Sequence, residues 1–175
     1  MSYVLVPYLI DLAKLRSAVG SKDLALVEAI RKTDPEKFDL RDDDLTLGDA
    51  LSQLVMGEKL GRKATHQYGY ALIRLCEHLG QRLDADEWSG VRLAALQDSG
   101  VAALMQSGPP VKLPKNPDVP LVGFLERAQV AEMVSKMGDE GLTHDDEDLQ
   151  ELLTEFEGWL RAAVKAKRNI VLFFH

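Results

Sequence analysis

A helix that leads into a strand apolar on both faces lies at the end of this sequence and constrains the fold more than any other stretch. Leu149, Leu152, Leu153, Phe156, Trp159, Leu160, Ala163 and Val164 recur at steps of three and four, the stripe of a helix that lays one face on a core. Residues 170 to 174 then read Ile-Val-Leu-Phe-Phe. A strand without a polar face has no side to turn to water, so it is expected inside a sheet covered on both sides rather than in a tail.

The rest of the chain supplies the elements for such a sheet and its cover. Tyr3 to Val6 reads as a strand ending near Pro7, because proline donates nothing to a ladder. A short helical piece through Leu12, Leu15 and Val19 stops at Gly20, and Ser21 is placed to cap the next helix, which carries Leu24, Val27 and Ile30 and closes at Asp34-Pro35. Leu47, Leu51, Leu54 and Val55 mark a further helix stopped by Gly57, with residues 57 to 63 as a loop. Thr65 to Leu79 is the central helix by pattern, its stripe formed by Tyr68, Leu72, Leu75, Cys76 and Leu79. The Ala/Leu-rich stretch from Asp84 to Met105 is interrupted by Gly90 and Gly100, and five of the seven prolines fall between Gly108 and Pro120, which reads as an irregular crossing. Leu121 to Leu125 is a second candidate strand, followed by a helix through Val130, Met133, Val134 and Met137. Thr143 and Asp146 fit a capping box for the last helix, whose acidic start and basic end complement its macrodipole. Strands and helices do not alternate regularly, so the expected class is α+β, helix-rich, with a small sheet that includes the N- and C-terminal strands. Residues 1–175 are long enough to bury a core as a single domain.

Composition narrows the function classes. With 46% hydrophobic and 28% charged residues, the chain has neither the polarity of a disordered segment nor the apolar runs of a membrane protein. A net charge of -7 argues against a nucleic-acid binder, which needs a basic face to neutralise phosphates. Cys76 is the only cysteine, which rules out an internal disulfide and suits a reducing compartment. The apolar start through Ile10 is short, lacks a basic leader and contains Pro7, so it is read as neither a signal peptide nor a span, and the protein as cytoplasmic.

Several constellations invite chemistry and most fail on geometry. Residues 57 to 65, Gly-Glu-Lys-Leu-Gly-Arg-Lys-Ala-Thr, resemble a phosphate loop, yet the spacer between glycines is three residues, Ala64 separates Lys63 from Thr65, and a helix precedes. What survives is a weak anion-site candidate, Arg62 and Lys63 near a helix start. A calcium loop beginning at Asp42 would put Leu47 where glycine is required and Gln53 where a bidentate glutamate belongs. Asp145 to Asp148 sits at a helix start, where carboxylates are favoured without metal. The histidines are His66, His78, His144 and His175; His66 and His78 would point about 120° apart on one helix, and no metal or cofactor is implied. Cys76 and His78 are two apart on a helix and do not face each other. The group that remains is His66, Tyr68, Tyr70 and Trp88, aromatic residues with polar tips suited to a binding surface.

Local patterns carry a resemblance. Met-Ser-Tyr-Val-Leu at the start, a Tyr-Gly-Tyr-Ala-Leu helix (Tyr68 to Leu72) that ends in Leu-Cys-Glu-His-Leu-Gly, Val-Gly-Phe-Leu leading into Val-Ala-Glu-Met-Val, and Gly-Trp-Leu leading into Ile-Val-Leu-Phe-Phe resemble an uncharacterised bacterial family of small domains. They are also distantly similar to the YfbM-like proteins, which end on a long helix and a short apolar strand. The resemblance implies a small cytoplasmic α+β domain and transfers no catalytic residue. The leading expectation is therefore a non-enzymatic interaction domain with an acidic surface for a basic protein partner, in a toxin-immunity or accessory role. The alternative is a small-molecule or hydrolase-like pocket around His66, Tyr70 and Trp88. The oligomeric state is not legible.

Overall fold

The computed structural model describes residues 5–39, 44–85, 107–115 and 120–174. Four strands form one antiparallel sheet in the order β2-β1-β4-β3, where β1 is Leu5–Ile10, β2 Gln81–Arg82, β3 Leu121–Leu125 and β4 Asn169–Phe174. The apolar strand β4 lies between β1 and β3, pairing Pro7 with Leu172 on one side and Gly123 with Leu172 on the other. Its alternation then sends Ile170, Leu172 and Phe174 to one face and Val171 and Phe173 to the other, all of them buried. Each set enters a different core, so the strand is covered on both faces, as its apolar pattern predicts.

On the Val171 and Phe173 face lie α1 (Leu12–Ala18), α2 (Leu24–Arg31), α3 (Pro35–Asp39), α4 (Leu47–Met56) and α5 (His66–Leu79). On the Leu172 face lie α6 (Arg127–Met137) and α7 (Glu147–Ala166). The class is α+β with helix in the majority and both terminal strands in the sheet, as the pattern predicts. Tyr8 meets Phe173 edge-to-face at 5.7 Å on the first face, and Phe156 meets Trp159 at 6.1 Å on the second. Trp159 also donates its ring N–H to the Asp84 carbonyl at 2.9 Å, tying α7 to the chain just past β2.

Several local expectations need correction. The first strand runs on through Pro7 to Ile10, because the carbonyl of Pro7 faces the β2 side, where it accepts from Leu83 N–H at 3.0 Å. N and O of one residue point the same way in an antiparallel ladder, so the missing donor falls where β2 is only two residues long and little pairing is lost. Tyr3, where the sequence pattern starts that strand, lies outside the described residues. Asp23 rather than Ser21 caps α2, accepting from Leu26 N–H at 3.0 Å, while the Ser21 hydroxyl holds Asp23 N–H at 3.3 Å. Asp146, not Thr143, caps α7 through Leu149 N–H at 3.1 Å. In each case the residue immediately before the first helical position has the reach to N3. Pro35, read as a stop, also starts α3, since a missing N–H costs nothing at a first helical position.

Candidate functional site

The polar-tipped side chains of interest project from α5, whose apolar stripe packs Tyr68, Leu72, Leu75 and Cys76 into the first core. Tyr68 is fully buried and its hydroxyl is spoken for: it donates to Gln53 Oε1 at 2.6 Å and accepts from Gly61 N–H at 2.7 Å. The phenol therefore clamps the 57–62 loop to α4. His66 and Tyr70, one turn apart on a half-buried side of the helix, meet edge-to-face at 6.3 Å between ring centroids. Trp88, the fourth member of the sequence group, lies outside the described residues. The helix thus brings His66 and Tyr70 together and turns Tyr68 away from them into the core.

Cys76 is fully buried. Burial pushes its thiol well above the usual range, with the neighbouring Glu77 charge adding to the shift, so the reactive thiolate is disfavoured. Tyr8, also buried, points its hydroxyl at Glu77 Oε1 at 3.3 Å, and burial raises its pKa first, the Glu77 carboxylate second. Glu77 in turn pairs with Arg74 at 2.7 Å. Native protein is accordingly expected to leave Cys76 unlabelled by a thiol reagent and to expose it fully in denaturant; stoichiometric labelling under native conditions would return Cys76 to the list of nucleophiles.

The basic pair next to α5 divides. Lys63 turns to Asp44 at 3.1 Å, whereas Arg62 lines a hollow formed by the 57–62 loop and the segment 112–115. Asp44 is the one described member of the 42–44 acidic run, and its partner is the Lys63 ammonium rather than a metal ion. The other acidic run is of a different kind. Between Lys136, paired with Glu132 at 2.6 Å, and Arg161, paired with Glu157 at 2.7 Å, the sequence has no lysine or arginine. Asp139, Glu140, Asp145, Asp146, Glu147, Asp148 and Glu151 are all exposed there, and among the described residues none joins a salt bridge. No three His, Cys, Asp or Glu side chains among the described residues converge as metal ligands would, and no described helix is long and apolar enough to cross a membrane.

A family model described as a domain of unknown function, DUF7691, matches residues 1–175. The chain belongs to the DUF7691 family. No curated protein and no solved structure matches it. The fold of this DUF7691 chain therefore carries the functional argument alone. Within it, sequence reading missed Lys112 and Lys115, which the crossing segment brings to the same hollow as Arg62. The local signal, Val-Lys-Leu-Pro-Lys, is visible but says nothing of what it faces.

Proposed function

We propose that this domain works by binding rather than by catalysis, and that it docks a basic protein partner on the acidic surface formed by the 139–151 stretch, in an immunity or accessory role. The single observation that supports this is the segregation of charge: seven exposed carboxylates in a stretch that itself contains no lysine or arginine, none of them in a salt bridge among the described residues. Like charges held together weaken the fold, so a surface that retains them is better suited to steering an oppositely charged partner. Cys76 and Tyr68 of α5 are committed to the core, so neither stands at a surface as a nucleophile. A bacterial source, a cytoplasmic location and distant kinship with YfbM-like proteins are parts of the same proposal.

The test is kinetic. A partner captured by affinity purification and identified by mass spectrometry should associate more slowly as salt rises, because exposed charges are screened over about 8 Å at physiological ionic strength. Asp145→Lys with Asp148→Lys should cut the association rate by about tenfold and leave dissociation nearly unchanged. An association that ignores both salt and these substitutions would sink the proposal.

A further inference from the structure

The hollow that Arg62 lines is a cavity of about 790 Å³ on the helical layer opposite α6 and α7. Both of its walls are held by specific bonds. The end of α4 is pinned to the α1–α2 turn, with Gly20 N–H on the Leu54 carbonyl and Lys22 N–H on the Val55 carbonyl, both at 2.9 Å. Gly57 ends that helix at φ +70°, and a Cβ there would stand 3.0 Å from the Gly20 Cα, so only glycine combines this turn with this approach. Tyr68 then clamps Gly61. The opposite wall is fixed at two points. Ser107 Oγ accepts from Phe124 N–H at 2.9 Å and donates to its carbonyl at 3.2 Å, replacing a ladder partner on β3. Arg16 lies over the Phe124 ring and donates its Nε–H to the Pro110 carbonyl at 3.1 Å.

The lining of this cavity is strongly basic. Lys59, Arg62, Lys112 and Lys115 line it against a single carboxylate, Glu58, in a chain whose acids outnumber its bases by 28 to 21. All four cations are exposed, and among the described residues none has a salt-bridge partner. Between them the lining is apolar, contributed by Leu54, Leu60 and Leu113. A second hollow of about 470 Å³ shares Leu113, Pro114 and Lys115 and extends the first toward β3.

We propose that this cavity binds a small phosphorylated molecule of the nucleoside diphosphate class, its phosphates held by Arg62 and the three lysines and its planar body laid on the leucines. The volume falls within the roughly 300–1,000 Å³ of small-ligand sites. A net three positive charges in the lining match a compact polyanion better than a monocarboxylate, and Arg62 supplies the planar fork that suits phosphate oxygens. The recognition is by side chains, consistent with the failure of the 57–65 stretch as a backbone phosphate loop. It is independent of the acidic surface, which lies on the other layer.

Calorimetric titration of the full chain with ADP, inorganic pyrophosphate, adenosine and a Glu-rich peptide tests it. ADP should bind saturably, more tightly than pyrophosphate or adenosine, and more weakly as salt rises. Arg62→Glu and Lys115→Glu should each weaken ADP by about tenfold or more, while Lys136→Glu on α6 should change nothing. Amide shifts in the unaltered chain should centre on Gly57, Gly61, Lys112, Leu113 and Lys115, a readout that does not depend on any variant's folding. No ADP binding up to millimolar concentration, equal binding by the charge-reversed variants, or a Glu-rich peptide that outcompetes ADP would each overturn the proposal, the last by making the cavity a protein-docking surface.

Discussion

Deleting residues 170–175 should abolish cooperative unfolding altogether. Ile170, Val171, Leu172 and Phe173 are fully buried and Phe174 nearly so. At about 1.5–3 kcal/mol for each large apolar side chain, their burial alone is worth on the order of 10 kcal/mol, similar to the whole stability of a typical domain, about 5–15 kcal/mol. The deletion also strands the ladder groups of β1 and β3, which both pair with β4, and opens both cores at once. Far-ultraviolet circular dichroism on heating should therefore show a broad, non-cooperative change. A sharp transition at the full-length midpoint would mean that the two helical layers are held together without their central strand.

Two glycines should respond to alanine in opposite directions. A Cβ at Gly80, where α5 turns into β2, would come within 2.6 Å of the Leu9 carbonyl oxygen and 3.0 Å of that of Cys76. Both are backbone atoms in regular elements, so relief requires moving β1 or α5, and Gly80→Ala should cost about 3 kcal/mol. At Gly158, inside α7, a methyl group would meet nothing within 4 Å. There alanine removes only the entropic penalty of a helical glycine, and Gly158→Ala should gain about 0.5–1 kcal/mol. Urea unfolding of the two variants checks both signs; an unchanged midpoint for Gly80→Ala would show that the approach of β1 to the end of α5 is looser than these distances.

The acid response of the α1 cap has a definite sign. Amide donation from Lys14, with that of Ala13 and the nearby Arg168, holds the Asp11 carboxyl below the usual aspartate range. A depressed carboxyl pKa stabilises the fold above the unfolded value and loses that contribution as pH falls through the folded one. The carboxylate stands in contact with solvent, which keeps the effect small.

Patterns of local period were legible in the sequence because they depend only on which face of an element meets water. The α7 stripe, the two-faced strand at 170–174, the α5 stripe with Cys76 on it, and hence the α+β class, all follow from apolar residues recurring at 3.6 or filling both sides of a pleat. Features set by a neighbour distant in the chain were not legible. Pro7 sits inside a strand because the partner on its donor side is too short to miss a bond. The stripe already turned Tyr68 toward the core, but that Gln53 and Gly61 satisfy its hydroxyl there, and so remove it from a binding surface, was set by residues outside the helix. Lys112 and Lys115 gain meaning only because Arg16 and Ser107 fix their segment across from Arg62, some fifty residues away in sequence. The residues by themselves determined which stretches are helix, strand and core; which charges face one another, and so where a ligand could be held, was decided by the packing of those stretches, since electrostatic partners are set by distance in space and not by spacing along the chain.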